Sequence, residues 1–83
     1  MEFLYTARFL RSFKKLPLLV ADDCLRAVEL FEKGERKELK FHKPHGKFKD
    51  LHAFSANFSY RIVVKVEKKV VYFMDVGSHI IYD

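Results

Sequence analysis

The apolar residues of this chain repeat with a helical period in its first third and with a period of two in its last third. That switch constrains the fold more than any other feature of the sequence. Phe9, Leu10, Phe13 and Leu16 recur at helical spacing, with Arg8, Arg11, Lys14 and Lys15 on the other faces. Thr6 stands where an N-cap hydroxyl would accept a free amide of the first turn. Pro17 ends that helix because it has no amide hydrogen and its ring clashes with the preceding turn. A second helix starts near Pro17 or Leu18, and Val20, Cys24, Ala27, Val28 and Phe31 form its buried stripe. Asp22 and Asp23 are expected in its first turn, where they complement the helix dipole. Gly34 falls where a left-handed C-terminal cap is least costly.

Beyond Pro44 and Gly46, which mark a loop over 34–50, the pattern becomes that of strands. Residues 51–58 alternate, with His52, Phe54, Ala56 and Phe58 on one face. Residues 60–67 alternate more clearly, with Tyr60, Ile62, Val64 and Val66 opposite Arg61, Val63, Lys65 and Glu67. A short turn at Lys68 and Lys69 leads to a β-branched and aromatic run over 70–76. Residues 2–5 read as a further short strand. Strands joined by such short connections run antiparallel. The expected fold is therefore α+β: two N-terminal helices packed on one face of a small, mainly antiparallel twisted sheet, in the order β-α-α-β-β-β.

Eighty-three residues suit one domain, 1–83, with a thin core. A hydrophobic content of 49% with 16% aromatics is enough to fill it and excludes a disordered chain. The longest apolar run, residues 16–21, is far short of the ~20 residues that span a bilayer. No basic-then-apolar leader opens the sequence, and one cysteine, Cys24, excludes an internal disulfide; both suit a reducing cytoplasm with no membrane partner. His42, His45 and His52 lack the companion Cys or carboxylate ligands of a metal centre, so neither metal nor cofactor is expected.

The net charge of +5 is concentrated in residues 34–50, a pattern that suits a phosphate backbone or an acidic protein. If Ile62, Val64 and Val66 face the helices, Arg61 and Lys65 face the other way. His79 follows Gly77 and Ser78 at a sheet rim, and its imidazole titrates in the range useful for proton transfer.

Four stretches together resemble the RelE/ParE superfamily of toxins from type II toxin–antitoxin systems, particularly its RelE/StbE and YafQ-like branches. They are Phe-Leu-Arg-Ser-Phe-Lys-Lys-Leu-Pro (9–17), Lys-x-His-Gly-Lys-x-Lys-Asp-Leu (43–51), Asn-Phe-Ser-Tyr-Arg-Ile-Val (57–63) and Asp-Val-Gly-Ser-His (75–79). The resemblance implies a ribosome-dependent endonuclease acting on messenger RNA in the decoding site. It also implies a cognate antitoxin that wraps the toxin in a hetero-oligomer. By position, Arg61 matches the strand arginine that contacts the scissile phosphate. His79 matches the arginine or histidine of RNA-cleaving members, and Tyr82 the terminal aromatic that stacks on a base. One branch carries proton-transferring lysines on the strand before this arginine; here that strand offers His52 and Phe54.

The chemistry so implied is metal-independent. The 2′-hydroxyl attacks the adjacent phosphorus, Arg61 stabilises the phosphoryl oxygens, and His79 moves one proton. His52 or His45 moves the other, while Lys43, His45, Lys47, Lys49 and Lys65 hold the backbone without reading sequence. The alternatives are a ParE-like inhibitor of DNA gyrase, acting through protein contacts alone, and a non-catalytic basic module that binds nucleic acid.

Overall fold

A computed structural model of the chain describes residues 1–35 and 51–78. The elements run β1 (Glu2–Tyr5), α1 (Ala7–Lys14), α2 (Leu18–Glu32), β2 (Leu51–Ser55), β3 (Tyr60–Glu67) and β4 (Val70–Ser78). Thr6 caps α1: its side chain accepts from the Phe9 amide at 3.1 Å. The same hydroxyl donates to the Phe73 carbonyl at 2.8 Å, so the cap also ties the helix to β4. α1 closes with short i→i+3 bonds, Lys15 N to Ser12 O and Leu16 N to Phe13 O, both 3.1 Å. Pro17 then serves as the N-cap of α2. Gly34 follows that helix at φ +84°, the left-handed backbone expected of it.

The sheet order is β1-β4-β3-β2. The three C-terminal strands pair antiparallel, and β1 lies parallel to β4, with Phe3 beside Val71 and Tyr5 beside Phe73. The helical crossover between β1 and the later strands is what permits the parallel pair. In the turn from β3 to β4 Lys68 takes φ 52°, which lets two residues close the hairpin where no glycine is available.

Both helices lie on one face of the sheet. Phe9 of α1 and Cys24, Ala27, Val28 and Phe31 of α2 form a single core with Phe54, Ile62, Val64, Val71, Phe73 and Val76 of the strands. Phe31 stacks on Phe54 within it at 4.5 Å and 3°, and at its edge the exposed Tyr5 stacks on Phe73 at 4.6 Å and 13°. Ala53 and Val63 are also buried but stand outside this cluster, on the opposite face.

Three local expectations are corrected. α2 begins at Leu18, so its first turn holds no acidic residue; Asp22 and Asp23 lie one turn further in. Asp23 instead bonds Arg26 Nη2 and Asn57 Nδ2, each at 3.0 Å. Leu10 is not part of the buried stripe, because an eight-residue helix meets the sheet along Phe9 and Phe13 and leaves Leu10 exposed. Phe58 does not share a strand face with Phe54 and Ala56. β2 ends at Ser55, and Phe58 stands in the following turn with 90% of its surface in solvent.

Candidate functional site

Alternation along β3 puts Ile62 and Val64 into the core, so Arg61 and Lys65 project from the other face. Arg61 lies across from Ser55 of β2 and Gly77 of β4. Both neighbours are small, and Gly77 has no side chain, so neither crowds the arginine from the adjacent strands. Lys65 lies about 13 Å further along the same face, between Leu51 and Tyr72. Its ammonium is 3.7 Å from Glu67 Oε1, a largely exposed pair that contributes little and that a phosphate could replace.

The turn after β2 holds Arg61 from its outer side. Asn57 Oδ1 accepts from the amides of Ser59 at 2.8 Å and Tyr60 at 2.9 Å, an Asx arrangement that fixes the chain reversal. Ala56 N donates to Tyr60 O at 2.9 Å, and Asn57 Nδ2 anchors the turn to Asp23 of α2. Arg61 Nη1 reaches back to the carbonyls of Asn57 at 3.4 Å and Tyr60 at 3.5 Å. Those two contacts are long for hydrogen bonds. Arg61 Nε is buried, which directs the head group rather than leaving it to sweep through solvent.

On β4, Asp75 is the one buried carboxylate among the described residues. It pairs with Val63 next to a β-bulge in which Met74 is the extra residue. Its oxygens accept from Ser12 Oγ at 2.5 Å, Arg8 Nε at 3.0 Å and its own neighbour's amide, Val76 N, at 2.9 Å. α1 is thereby fixed to the strand that carries Gly77. Sequence reasoning did not assign a role to Asp75 or Asn57. The Ser55, Asn57 and Ser59 cluster was the available sign of a turn.

The sequence-derived candidates separate into three groups. Arg61 and Lys65 share the face opposite the helices, where Ala53 and Val63 are buried. His52 pairs with Val64 and alternates with Ala53, which sets it on the helix-covered face with Phe54. The expectation that it works beside Arg61 is corrected by that register: the residues are on opposite sides of the sheet. Lys43, His45, Lys47, Lys49, His79 and Tyr82 lie outside the described residues.

An apolar groove of about 200 Å³ lies between α1 and α2, lined by Phe9, Leu10, Phe13, Cys24, Leu25 and Val28. It lies on the helix side of the molecule, away from Arg61. Burial pushes the Cys24 thiol up to about 11, so it is protonated and unreactive. Among the described residues, no three His, Cys, Asp or Glu side chains gather as metal ligands, and no helix is long and apolar enough to cross a membrane.

No protein-family model and no curated protein sequence matches this chain. Solved structures do. The chain superposes on YafQ from Escherichia coli BL21(DE3) with a TM-score of 0.80 at 13% identity, covering 96% of this chain and 94% of that one. The RelB–RelE antitoxin–toxin complex from Methanococcus jannaschii gives 0.75 at 17% identity, over 92% and 89%. A YoeB/ParE toxin from Agrobacterium tumefaciens gives 0.75 at 10% identity, over 95% and 99%. At such identities the likeness is one of fold, and the fold is the RelE/ParE-like α+β fold.

Proposed function

We propose, from a chain with the RelE/ParE-like fold, that this protein is the toxin of a toxin–antitoxin system and that it cuts messenger RNA on the ribosome. The observation that carries the reading is Arg61. It is an arginine with a buried Nε on the sheet face opposite the helices, beside a glycine, at the position that the toxin resemblance gives to the phosphate contact.

The reaction needs no group from outside the RNA and the protein. The 2′-oxygen loses its proton and bonds to the adjacent phosphorus, and the bond from phosphorus to the 5′-oxygen breaks. The leaving oxygen takes up a proton, giving a 2′,3′-cyclic phosphate and a 5′-hydroxyl. Arg61 stabilises the charge that builds on the phosphoryl oxygens, since a planar fork can meet two of them at once. His79 carries one proton, and because His52 is on the other face, His45 or a loop lysine carries the second. Lys43, Lys47, Lys49 and Lys65 hold the flanking backbone, and Tyr82 stacks on a base. An antitoxin encoded beside the gene would cover this face.

The test is expression in cells with transcript ends mapped by primer extension, repeated with Arg61→Ala and His79→Gln. Codon-phased cuts that either substitution abolishes support the reading. Intact transcripts with a supercoiling defect would favour the gyrase inhibitor. Intact transcripts with normal supercoiling would leave a non-catalytic nucleic-acid-binding module.

A further inference from the structure

We propose that Phe58 is a stacking platform for an unpaired base of single-stranded RNA, set one nucleotide along from the phosphate that Arg61 holds. The inference rests on the reading of the substrate as RNA and adds a contact that the family resemblance does not assign.

Phe58 is the most exposed of the large hydrophobic residues described, at 90%. A lone aromatic in a surface turn is usually free to swing, but this turn is fixed on both sides. Asn57 binds the two amides that follow Phe58 through its side-chain oxygen, and its amide nitrogen is tied to Asp23 of α2. The Ala56 N to Tyr60 O bond closes the loop beneath. Holding the backbone in advance lowers the ordering entropy that a ligand must offset, and a phenylalanine has only two side-chain torsions left to settle.

The guanidinium lies against the backbone of the same turn. Arg61 Nη1 is 3.4 Å from the carbonyl of Asn57, the group bonded directly to the Phe58 nitrogen. A cation at the turn's backbone and an exposed aromatic on the next residue match a phosphate and its neighbouring base, the repeating pair of a single strand. The flanking residues, Asn57 and Ser59, are polar, so the ring does not continue an apolar surface along its own turn. Stacking on one ring needs no such surface, whereas a protein interface centred on Phe58 would.

The chain contains no tryptophan, so Phe58→Trp introduces a sole indole reporter. The probe is a single-stranded 2′-O-methyl oligoribonucleotide of mixed sequence, which binds but cannot undergo 2′-hydroxyl attack. Saturable quenching of that indole is expected. Phe58→Ala should bind the oligonucleotide roughly 5- to 150-fold more weakly, the range for losing one stacked base, while Phe58→Tyr stays within about twofold. The salt dependence of binding should keep its slope, because no phosphate contact is removed. Phe58 is exposed, so the variant should fold; an unchanged far-UV spectrum and melting temperature verify it.

Saturable binding with an unquenched indole and an unaltered Phe58→Ala affinity overturns the proposal, as does the absence of any saturable binding by the unmodified chain. Unchanged RNA affinity with loss of binding to a co-expressed antitoxin assigns Phe58 to a protein interface and overturns it too. The ribonuclease reading is decided separately by the transcript map. If Phe58→Ala cuts at wild-type positions and extent, the enzyme stands and the platform falls; if the unmodified chain cuts nothing, the enzyme falls.

Discussion

Removing the Asp75 carboxylate tests how α1 is held to the strand bearing Gly77. Asp75 is 8% exposed and accepts from Ser12 Oγ and Val76 N through one oxygen and from Arg8 Nε through the other. These bonds are unequal. The Arg8 side chain is 70% exposed, so solvent screens it and Arg8→Ala should cost only about 0.5–1 kcal/mol. Ser12 is part-buried and donates to a carboxylate, so Ser12→Ala should cost about 1–1.5 kcal/mol, toward the lower end for a bond to a charged acceptor. Asp75→Ala removes the acceptor of the Ser12, Arg8 and Val76 bonds together in a buried setting, for about 2–4 kcal/mol. Set against a total stability of roughly 4–12 kcal/mol for a chain of this length, that is a large fraction. Urea unfolding followed by far-UV circular dichroism measures it. With a slope near ~1 kcal/mol per molar urea, the midpoint should fall by roughly 2–4 M. Asp75→Asn, which keeps one acceptor oxygen, should fall between the alanine variant and the unmodified protein. A loss under about 1 kcal/mol for Asp75→Ala, or a larger loss for Arg8→Ala than for Ser12→Ala, would refute this account.

Phe31→Ala should cost about 3–5 kcal/mol, and a double-mutant cycle with Phe54→Ala should return about 0.5–1.5 kcal/mol of coupling from their stacked rings, read by denaturant titration. Gly34→Ala should lose about 1 kcal/mol in thermal melts although a methyl group there meets nothing within 4 Å, because the cost is that of φ +84° alone. Gly34→Asn should recover part of it. Cys24 should resist iodoacetamide at pH 8 in the folded protein and react on unfolding. Its thiol is raised from 9.0 to about 11 by burial, so its contribution to stability is complete below pH ~9 and is lost as the pH climbs through 11. A stability curve flat from pH 8 to 11.5 would contradict that linkage.

The helix boundaries were legible because they are written in local chemistry, whereas β2 ends three residues before the alternation does and β4 runs on through Gly77 to Ser78. Thr6 and Pro17 set the helix ends by their own hydrogen-bonding capacity, and Gly34 by its tolerance of positive φ. The Asp22 and Asp23 reading failed although the helix start was read correctly: with Pro17 as the cap, the first turn closes by Ala21 and both carboxylates fall in the second. Phe58 failed for a related reason. Continued alternation in sequence suggests a continued strand, but Asn57 can bond the amides after it more cheaply than a ladder partner can, so the chain turns.

Alternation alone determined that Arg61 and Lys65 oppose Ile62 and Val64, since that depends only on the two-residue repeat of one strand. Which side of the sheet His52 joins depends on the register between β2 and β3, and register is fixed by side chains distant in sequence: Phe54 entering the core beside Ile62 and against Phe31. The parallel seat of β1, the bulge at Met74 and the buried Asp75 likewise arise only when the ends of the chain meet. Periodic sequence therefore specified the elements and the arginine's face, and long-range packing decided which polar groups share that face with it.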